Sequence, residues 1–419
     1  MNILEELEFR GLVFQTTDRA ELEKLLDEQS IGLYVGFDPT ADSLHIGSLL
    51  PILTLRRFQL AGHKPIAVVG GATGLIGDPS GKKQERTLNG PEMVANWTQK
   101  IHAQLSRFID FEAEENAGIV VNNYDWTGDM SVIEFLRDIG KNFSLNTMLN
   151  RESVSARLET GISFTEFSYM LLQSNDFLEL YRRHDCVLQI GGSDQWGNIV
   201  GGIDLIRRAT GQQAYGLTIP LVTKSDGTKF GKTESGAIWL DATKTSVYQF
   251  YQFWLNTQDD DVIKFLKYFT FLSKEEIEAL EQEVADNPGA RKAQKALAEH
   301  VTTLVHGQAE TERAIRMSSV LFSGDIKELS VDEIQEVFEG VPSTSLQRDH
   351  ATDIVSLLVA SGACSSKRQA REDVTNGAIS VNGDKVTDVE REFTHEEMFG
   401  GQFLVIRRGK KKYFLVKFE

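Results

Sequence analysis

Tyr34-Val35-Gly36-Phe37-Asp38-Pro39-Thr40-Ala41-Asp42-Ser43-Leu44-His45-Ile46-Gly47-Ser48 decides the reading of this chain. It ends an apolar, strand-like run, 31–37, and leads into the helix-like stretch 49–60. A turn holding a His and a Gly at a helix start lets backbone N–H groups approach a phosphate closely. A second element of the same kind lies far along the chain, at Lys229-Phe230-Gly231-Lys232-Thr233. It follows a polar loop, 224–228, with few apolar anchors. Two Lys three apart on a mobile loop can close over phosphates and neutralise charge as it develops. Each element alone is common; the pair points to one nucleotide site.

Outward from the first motif, short apolar runs alternate with helical patterns. Residues 31–37, 65–69, 117–121, 187–190 and 217–222 read as strands, and 49–60, 90–108, 130–139 and 162–181 as helices. This alternation favours a mostly parallel sheet covered by helices. Gly-rich turns follow two of the strands, at 70–81 and 191–202. In open α/β sheets, ligands bind beyond the carboxyl ends of the strands.

Past about 246 the pattern turns helical. Ser273-Lys274-Glu275-Glu276 is a capping box, followed by Ile277, Leu280 and Val284 at helical spacing. Leu297, Val301, Leu304 and Val305 mark another helix, which Gly307 is placed to end. The acidic, Ser/Thr-rich stretch 324–353 reads as a linker with one short helical piece. From 354 a helical pattern, the turns Asn376-Gly377 and Asn382-Gly383, and the strand-like runs 403–407 and 413–418 describe a small α+β module. The expected division is 1–223, a connection at 224–245, a helical domain at 246–323, the linker, and the module at 354–419.

The chain has 419 residues, enough for more than one core, with 41% hydrophobic and 25% charged residues, as in globular proteins. No apolar run approaches the ~20 residues of a membrane span, so no membrane partner is expected. The first ten residues hold Glu5, Glu6 and Glu8 and no apolar signal segment. Cys186 and Cys364 stand far apart without Cys-x-x-Cys spacing, which argues against a disulfide framework or thiolate zinc site and fits a reducing cytoplasm. The net charge of −17 argues against a chain coated in nucleic acid. Its distribution is uneven. Residues 352–419 carry 11 Lys+Arg and 10 Asp+Glu, against 33 and 51 in the rest. An acidic body with one locally basic end suits a limited contact with a polyanion; a plain solvated surface is the alternative on charge alone.

Three further groups bear on chemistry. Tyr169, Gln173 and Asp176, at i, i+4 and i+7, share one helix face. Such a face is commonly solvated. Here Met170, Leu171, Leu172 and Phe177 make the helix apolar nearly all round, which points to burial. A buried Asp needs a hydrogen-bond donor, and a phenol hydroxyl supplies one. Gly191 and Gly192 before Asp194 and Gln195 let the backbone approach a ribose, whose hydroxyls Asp194 can accept, or simply make a tight turn. Lys367, Arg368 and Arg371 mark a basic helix start, and Arg407, Arg408, Lys410, Lys411 and Lys412 a second basic cluster. Lys82 and Arg86 flank the 70–81 loop and serve pyrophosphate, RNA or solubility; Arg207 and Arg208 are candidates for an RNA acceptor arm.

The two anion-handling motifs resemble the HIGH and KMSKS signatures of class I aminoacyl-tRNA synthetases. Residues 34–45, 70–81, 189–198, 250–254 and 366–373 are similar to the bacterial type of tyrosyl-tRNA synthetase, a resemblance that covers nearly the whole chain. It implies an α/β fold: a Rossmann-like catalytic domain, then an all-α domain that meets the tRNA anticodon and an S4-like RNA-binding domain. It implies ATP as substrate with Mg²⁺, no bound prosthetic group and no dedicated protein metal site, tyrosine and tRNA(Tyr) as partners, and a homodimer. Residue by residue, it implies that Tyr34 and Asp176 hold the phenol hydroxyl, and that Asp78, Tyr169 and Gln173, with Gln195, hold the rest of tyrosine. Asp38, Thr40, His45, Ser48, Gly191, Gly192, Asp194 and Lys232 fall to ATP, and His45, Lys229, Lys232 and Thr233 to catalysis. Lys367, Arg368, Arg371, Arg407, Arg408, Lys410 and Lys411 fall to tRNA. One residue departs: the first signature usually ends in His, and here in Ser48, which donates a hydrogen bond but carries no charge. Two other functions compete. A tryptophanyl enzyme is opposed by Tyr34 with Asp176, and an RNA-binding protein without catalysis is favoured only by Ser48.

Overall fold

The computed structural model describes residues 2–81, 84, 87–228, 230–233, 236–347, 352–409 and 412–419. Lys82, Arg86, Lys229, Lys410 and Lys411, named above, lie outside them. The chain forms two compact units, 1–244 with 257–297, and 245–256 with 298–419.

The first unit is built on a six-stranded sheet of order β1-β6-β5-β2-β3-β4. Helix α1 (Ile3–Phe9), strand β1 (Gln15–Thr16) and helix α2 (Arg19–Glu28) precede the first long strand, β2 (Gly32–Phe37). Then come α3 (Ile46–Leu60), β3 (Lys64–Val69), α4 (Pro91–Leu105) and β4 (Ile119–Asn122). Four short helices, α5 (Tyr124–Thr127), α6 (Val132–Glu134), α7 (Leu145–Leu149) and α8 (Glu152–Ser155), lead to the long α9 (Phe164–His184). Strand β5 (Cys186–Gly192), α10 (Trp196–Thr210) and β6 (Tyr215–Ile219) complete the sheet. Strands β2 to β6 are parallel and β1 pairs antiparallel with β6. Burial on both faces explains their nearly unbroken apolar runs. Strand β2 pairs with β3 on one side and β5 on the other, so the chain order reverses there and a crevice opens beyond the strands' carboxyl ends.

Helix α9 lies against α10 through Gly201 and Gly202. A Cβ at Gly201 would stand 2.9 Å from Ser174 Oγ, and one at Gly202 2.9 Å from Phe177 Cδ1. This close approach fixes the helix that carries Tyr169, Gln173 and Asp176. Phe177, Leu178, Met170 and Leu171 share a core with Tyr34, Trp126, Ile139 and Met148.

Beyond the sheet stand β7 (Lys232–Thr233) and β8 (Gly236–Ala237), paired antiparallel. Helix α11 (Val247–Leu255) belongs to the second unit, while α12 (Asp259–Phe269) and α13 (Lys274–Asp286) belong to the first. The expected box at Ser273 and Glu276 caps α13. Helix α14 (Lys292–His306) stops before Gly307, whose φ is 88°, and α15 (Gln308–Ser323) follows.

The second unit departs from the expected boundaries. The stretch read as a linker holds α16 (Val331–Val337) and β9 (Ser343–Leu346). Then come α17 (Ile354–Ala360), α18 (Lys367–Thr375), β10 (Ile379–Val381), β11 (Asp384–Val386), β12 (Phe403–Arg408) and β13 (Lys412–Phe418). These strands form one sheet, β11-β10-β12-β13-β9, with β9 parallel to β13. Leu404, Ile406, Val416 and Phe418 face a core with α17 and α18. Phe403, Val405 and Leu415 face the other way, onto Met317, Ile326, Leu329, Ile334 and Phe338. A sheet apolar on both faces needs two covers, and the apparent linker supplies one of them. The helical region 246–323 is likewise shared between the two units.

Candidate functional site

A cavity of ≈ 340 Å³ opens where β2, β3 and β5 end. Its lining includes Tyr34, Asp38, Thr40, His45, Ser48, Asp78, Tyr169, Gln173, Asp176, Gly191, Gly192, Asp194 and Gln195. The structure thus gathers segments more than a hundred residues apart. The cavity is graded: Tyr34 and Asp176 are buried, while Thr40, His45 and Asp194 are exposed.

At the buried end, Trp126 Nε1 donates to Asp176 Oδ1 at 2.8 Å, and Asn123 Nδ2 to Asp176 Oδ2 at 3.0 Å. Burial pushes the Asp176 carboxyl up to about 7; the two donors oppose this, and the charges of Asp38 and Glu179 add to it. Burial first, then the Asp176 charge, holds the Tyr34 phenol well above its ordinary value. Tyr34 Oη has no hydrogen-bond partner among the described residues.

The network continues towards the mouth. Asn123 Nδ2 also donates to Thr73 Oγ1 at 2.9 Å, and Thr73 Oγ1 to Asp38 Oδ1 at 2.6 Å. Tyr169 Oη donates to Asp38 Oδ2 at 2.7 Å. Burial, then the charges of Asp38 and Asp78, keeps the Tyr169 phenol protonated. Asp78 accepts from the Ser80 backbone N–H at 2.9 Å and from Gln195 Nε2 at 2.8 Å. Gln173 Nε2 donates to Gln195 Oε1 at 3.2 Å, and Asn198 Nδ2 to Gln173 Oε1 at 2.9 Å. Gly70 is required here, since a Cβ on it would lie 2.0 Å from Asp38 Oδ1.

His45 is the N-cap of α3, its Nδ1 accepting from the Gly47 backbone N–H at 3.0 Å. The proton therefore sits on Nε2, which can donate to an anion. The second motif reaches the same place through the backbone. Ile46 N–H donates to Ile238 O at 3.0 Å, and Ile238 N–H to Gly231 O at 3.1 Å. The loop also has an anchor that its polar composition hid. The Phe230 ring stacks on Phe269 at 5.3 Å and meets Phe265 edge-on at 5.1 Å. Lys232 and Thr233 form β7.

Thr73, Asn123, Trp126 and Asn198 were not singled out from the sequence. Asn123 directly follows β4, so the strand-end rule that marked the other loops was available there. Trp126 carried no such signal. In the second unit, Lys367, Arg368 and Arg371 lie exposed on α18. Arg407 Nη2 donates to Ser380 Oγ at 3.4 Å. Arg408 is committed within the fold: it pairs with Asp373 at 2.8 Å and donates to Ala363 O at 2.8 Å. Arg207 and Arg208 both pair with Asp204.

Residues 26–323 match the family of class I tRNA synthetases (W and Y), and 333–416 match a tyrosine--tRNA ligase SYY-like C-terminal domain. A tyrosine--tRNA ligase of Bacillus licheniformis is 64% identical over 419 residues, all of both chains. One of Bacillus subtilis is 62% identical over 420 residues, again all of both chains. The chain belongs to the tyrosine--tRNA ligases. Among solved structures, a C-terminally truncated mitochondrial tyrosyl-tRNA synthetase of Aspergillus nidulans matches with a TM-score of 0.70 at 32% identity, over 76% of this chain and 94% of that one. The family's C-terminal domain begins inside α16, ahead of the expected linker's end and in keeping with β9 belonging to the sheet.

The raised Asp176 carboxyl makes stability depend on pH. A group whose folded value exceeds its ordinary 3.8 contributes stability that is complete below that value and lost as pH rises towards about 7. The expected loss is on the order of a few kcal/mol. Urea unfolding of the native chain at pH 5 and pH 8 should show this fall, and Asp176→Asn should flatten it, whatever constant offset the altered hydrogen bonding adds. An unchanged slope in the variant would assign the pH dependence to other groups.

Proposed function

We propose that the chain activates tyrosine with ATP, forming tyrosyl-adenylate and pyrophosphate, and passes the tyrosyl group to the 3′ end of tRNA(Tyr). The observation that carries this reading is the buried pair at the cavity's inner end, an unpartnered Tyr34 hydroxyl beside the Asp176 carboxyl. A phenol hydroxyl donates to Asp176, accepts from Tyr34 and completes both. Asp78, Tyr169 and Gln173, with Gln195, suit the amino acid's ammonium and carboxyl end. The exposed end, with Thr40, His45, Ser48, Gly191, Gly192 and Asp194, suits ATP, its phosphates at the α3 N-terminus beside His45. Asp38 positions Tyr169. Lys229, Lys232 and Thr233 neutralise the departing pyrophosphate. A carboxylate already able to attack needs positioning and charge stabilisation rather than a protein base. Mg²⁺ fits as an ion carried on the phosphates; among the described residues no cluster of three His, Cys, Asp or Glu stands ready to hold a metal.

Pyrophosphate exchange into ATP should be fast with tyrosine and near background with phenylalanine, which leaves the buried polar pair unsatisfied. Tyr34→Phe should weaken tyrosine binding by about 0.5–1.5 kcal/mol. Comparable exchange with tryptophan would overturn the substrate assignment.

Two partner proposals follow from surfaces. Val132, Ile133, Leu145 and Phe164 are exposed by 71, 71, 64 and 75%; large apolar side chains left in water are of the kind that an interface covers, and this supports a homodimer. Sedimentation of Ile133→Asp should give a monomer where the native chain gives a dimer; an undisturbed dimer would place the interface elsewhere.

The second surface is α18. Its first turn holds Lys367 and Arg368, with Arg371 one turn further on, although the helix dipole disfavours cations at this end. That placement supports a polyanion partner, tRNA, with Arg407, Lys410 and Lys411 adding to it. Arg408 enters this proposal as a structural residue. No described helix is long and apolar enough to cross a membrane, and the proposed site of action is the cytoplasm. Arg368→Glu with Arg371→Glu should leave pyrophosphate exchange intact and weaken tRNA binding. It should also reduce the salt slope by about two contacts, each worth roughly 0.9. Charging of tRNA at the native rate and salt dependence would give α18 another role.

A further inference from the structure

Helix α12 carries the loop of the second motif on one of its faces. Asp261, Phe265 and Phe269 stand at i, i+4 and i+8 and so share that face. Phe265 and Phe269 hold the Phe230 ring. Asp261 holds the loop's near end. The Ser225 backbone N–H donates to both of its oxygens at 3.1 Å, and Ser225 Oγ donates to Oδ2 at 2.9 Å. Lys264 pairs with Asp261 at 2.9 Å and donates to Thr223 O at 2.7 Å. The Asp261 side chain is only 2% exposed. Burial pushes its carboxyl up, but the bonds from Lys264 and Ser225 outweigh burial and hold it below its ordinary value. The far end of α12 is fixed as well. Arg10 donates to the carbonyls of Lys267, Thr270 and Leu272 at 3.1, 3.1 and 2.8 Å, and Arg57 to Thr270 O at 2.5 Å. Cations there satisfy a helix's last carbonyls and suit its dipole. Arg57 lies on α3, the helix that His45 caps, so α12 stands in a fixed relation to the first motif.

We propose that Asp261 is a positioning residue for tyrosine activation. It is not among the residues that line the cavity. It acts through Ser225, by setting where the stretch 226–233, with Lys229 and Lys232, meets the departing pyrophosphate. In the sequence only 226–229 separate the two held residues, Ser225 and Phe230. Within that span Asp226 accepts from the Thr228 backbone N–H at 2.8 Å, and Gly227 has a φ of 78°, so the span is a tight turn. A loop released at Ser225 samples many more positions, few of which bring its cations to the phosphates. Holding both ends beforehand leaves less ordering to be done in the transition state. The stability of α12 does not by itself call for this arrangement. Asp259 and Asp260 already place negative charge in its first turn, whereas Asp261 is turned inward and committed to the loop. A carboxylate is suited to that task, because its two oxygens accept from the Ser225 N–H, the Ser225 hydroxyl and Lys264 together.

This inference rests on the role proposed above for the loop, and its test separates the two. Asp261→Ala, which removes every acceptor, and Asp261→Asn, which keeps one acceptor oxygen and the shape, are compared with the native full-length chain. Tyrosine affinity, measured by equilibrium dialysis, should stay within about twofold in both, which also reports an intact fold. The single-turnover rate of tyrosyl-adenylate formation, at saturating tyrosine and ATP, should fall about tenfold or more in Asp261→Ala, since misplaced groups lose rate steeply. Asp261→Asn should recover part of that loss and stay about threefold below the native rate; it alone decides the matter if Asp261→Ala does not fold. A native rate in a folded variant overturns the proposal. So does a loss of tyrosine affinity that matches the loss of rate, which would make Asp261 a support of the fold as a whole. Lys232→Ala is the control for the underlying reading: a native rate of adenylate formation in that variant would refute the role of the loop itself.

Discussion

The burial of one carboxyl, that of Asp176, constrains the architecture around the site. Removing such a group from water costs several kcal/mol unless hydrogen bonds replace the lost hydration. Two donors do so, Trp126 and Asn123, both from the segment after β4. Asn123 also reaches Thr73, which reaches Asp38, which accepts from Tyr169. The loops after β2, β3 and β4 are thus tied to α9 through one chain of polar contacts. Such a network, satisfied at nearly every member, specifies a single arrangement of the loops that carry it. The hydroxyl of Tyr34 is the member without a partner, and the function proposed here gives it one.

Close backbone approach serves the same end. Gly70 admits Asp38, Gly47 admits the His45 ring, and Gly201 and Gly202 admit α9; in each case a Cβ would lie 2.0 to 2.9 Å from the neighbouring atom. Gly231, with φ of 76°, carries the second motif back past Ile46. The two motifs are joined through Ile238, whose backbone bonds both Ile46 and Gly231. Phe230, held against α12, anchors the loop that leads into β7.

The second unit shows why a chain can hide its own boundaries. Its sheet is apolar on both faces, so each face needs a cover. Helices α17 and α18 serve one; α16 and the end of α15 serve the other. The strand that joins the sheet alongside β13, β9, reads Ser343-Thr344-Ser345-Leu346, with alternate half-buried residues and hardly any apolar signal. A strand at a sheet's edge needs backbone pairing more than apolar side chains, and its sequence therefore resembles a linker. Arg408 shows a related point: within a run of cations, its position on β12 sets it against Asp373 and Ala363.

The sequence by itself determined the fold class, the five parallel strands of the first unit and many of the cavity residues, while α1, β1, α2 and α10 escaped it. Apolar runs and helical spacing report local structure, and glycine-rich turns at strand ends report where ligands approach. The i, i+4, i+7 spacing of Tyr169, Gln173 and Asp176 placed them together on α9 before any coordinates. Tertiary structure alone decided what lies across from them. That Trp126 and Asn123 satisfy Asp176, that Phe230 anchors a polar loop and that 326–346 covers a sheet all depend on contacts between distant segments. Such contacts follow from the packing of elements against one another, which periodicity and composition, being properties of one segment at a time, do not encode.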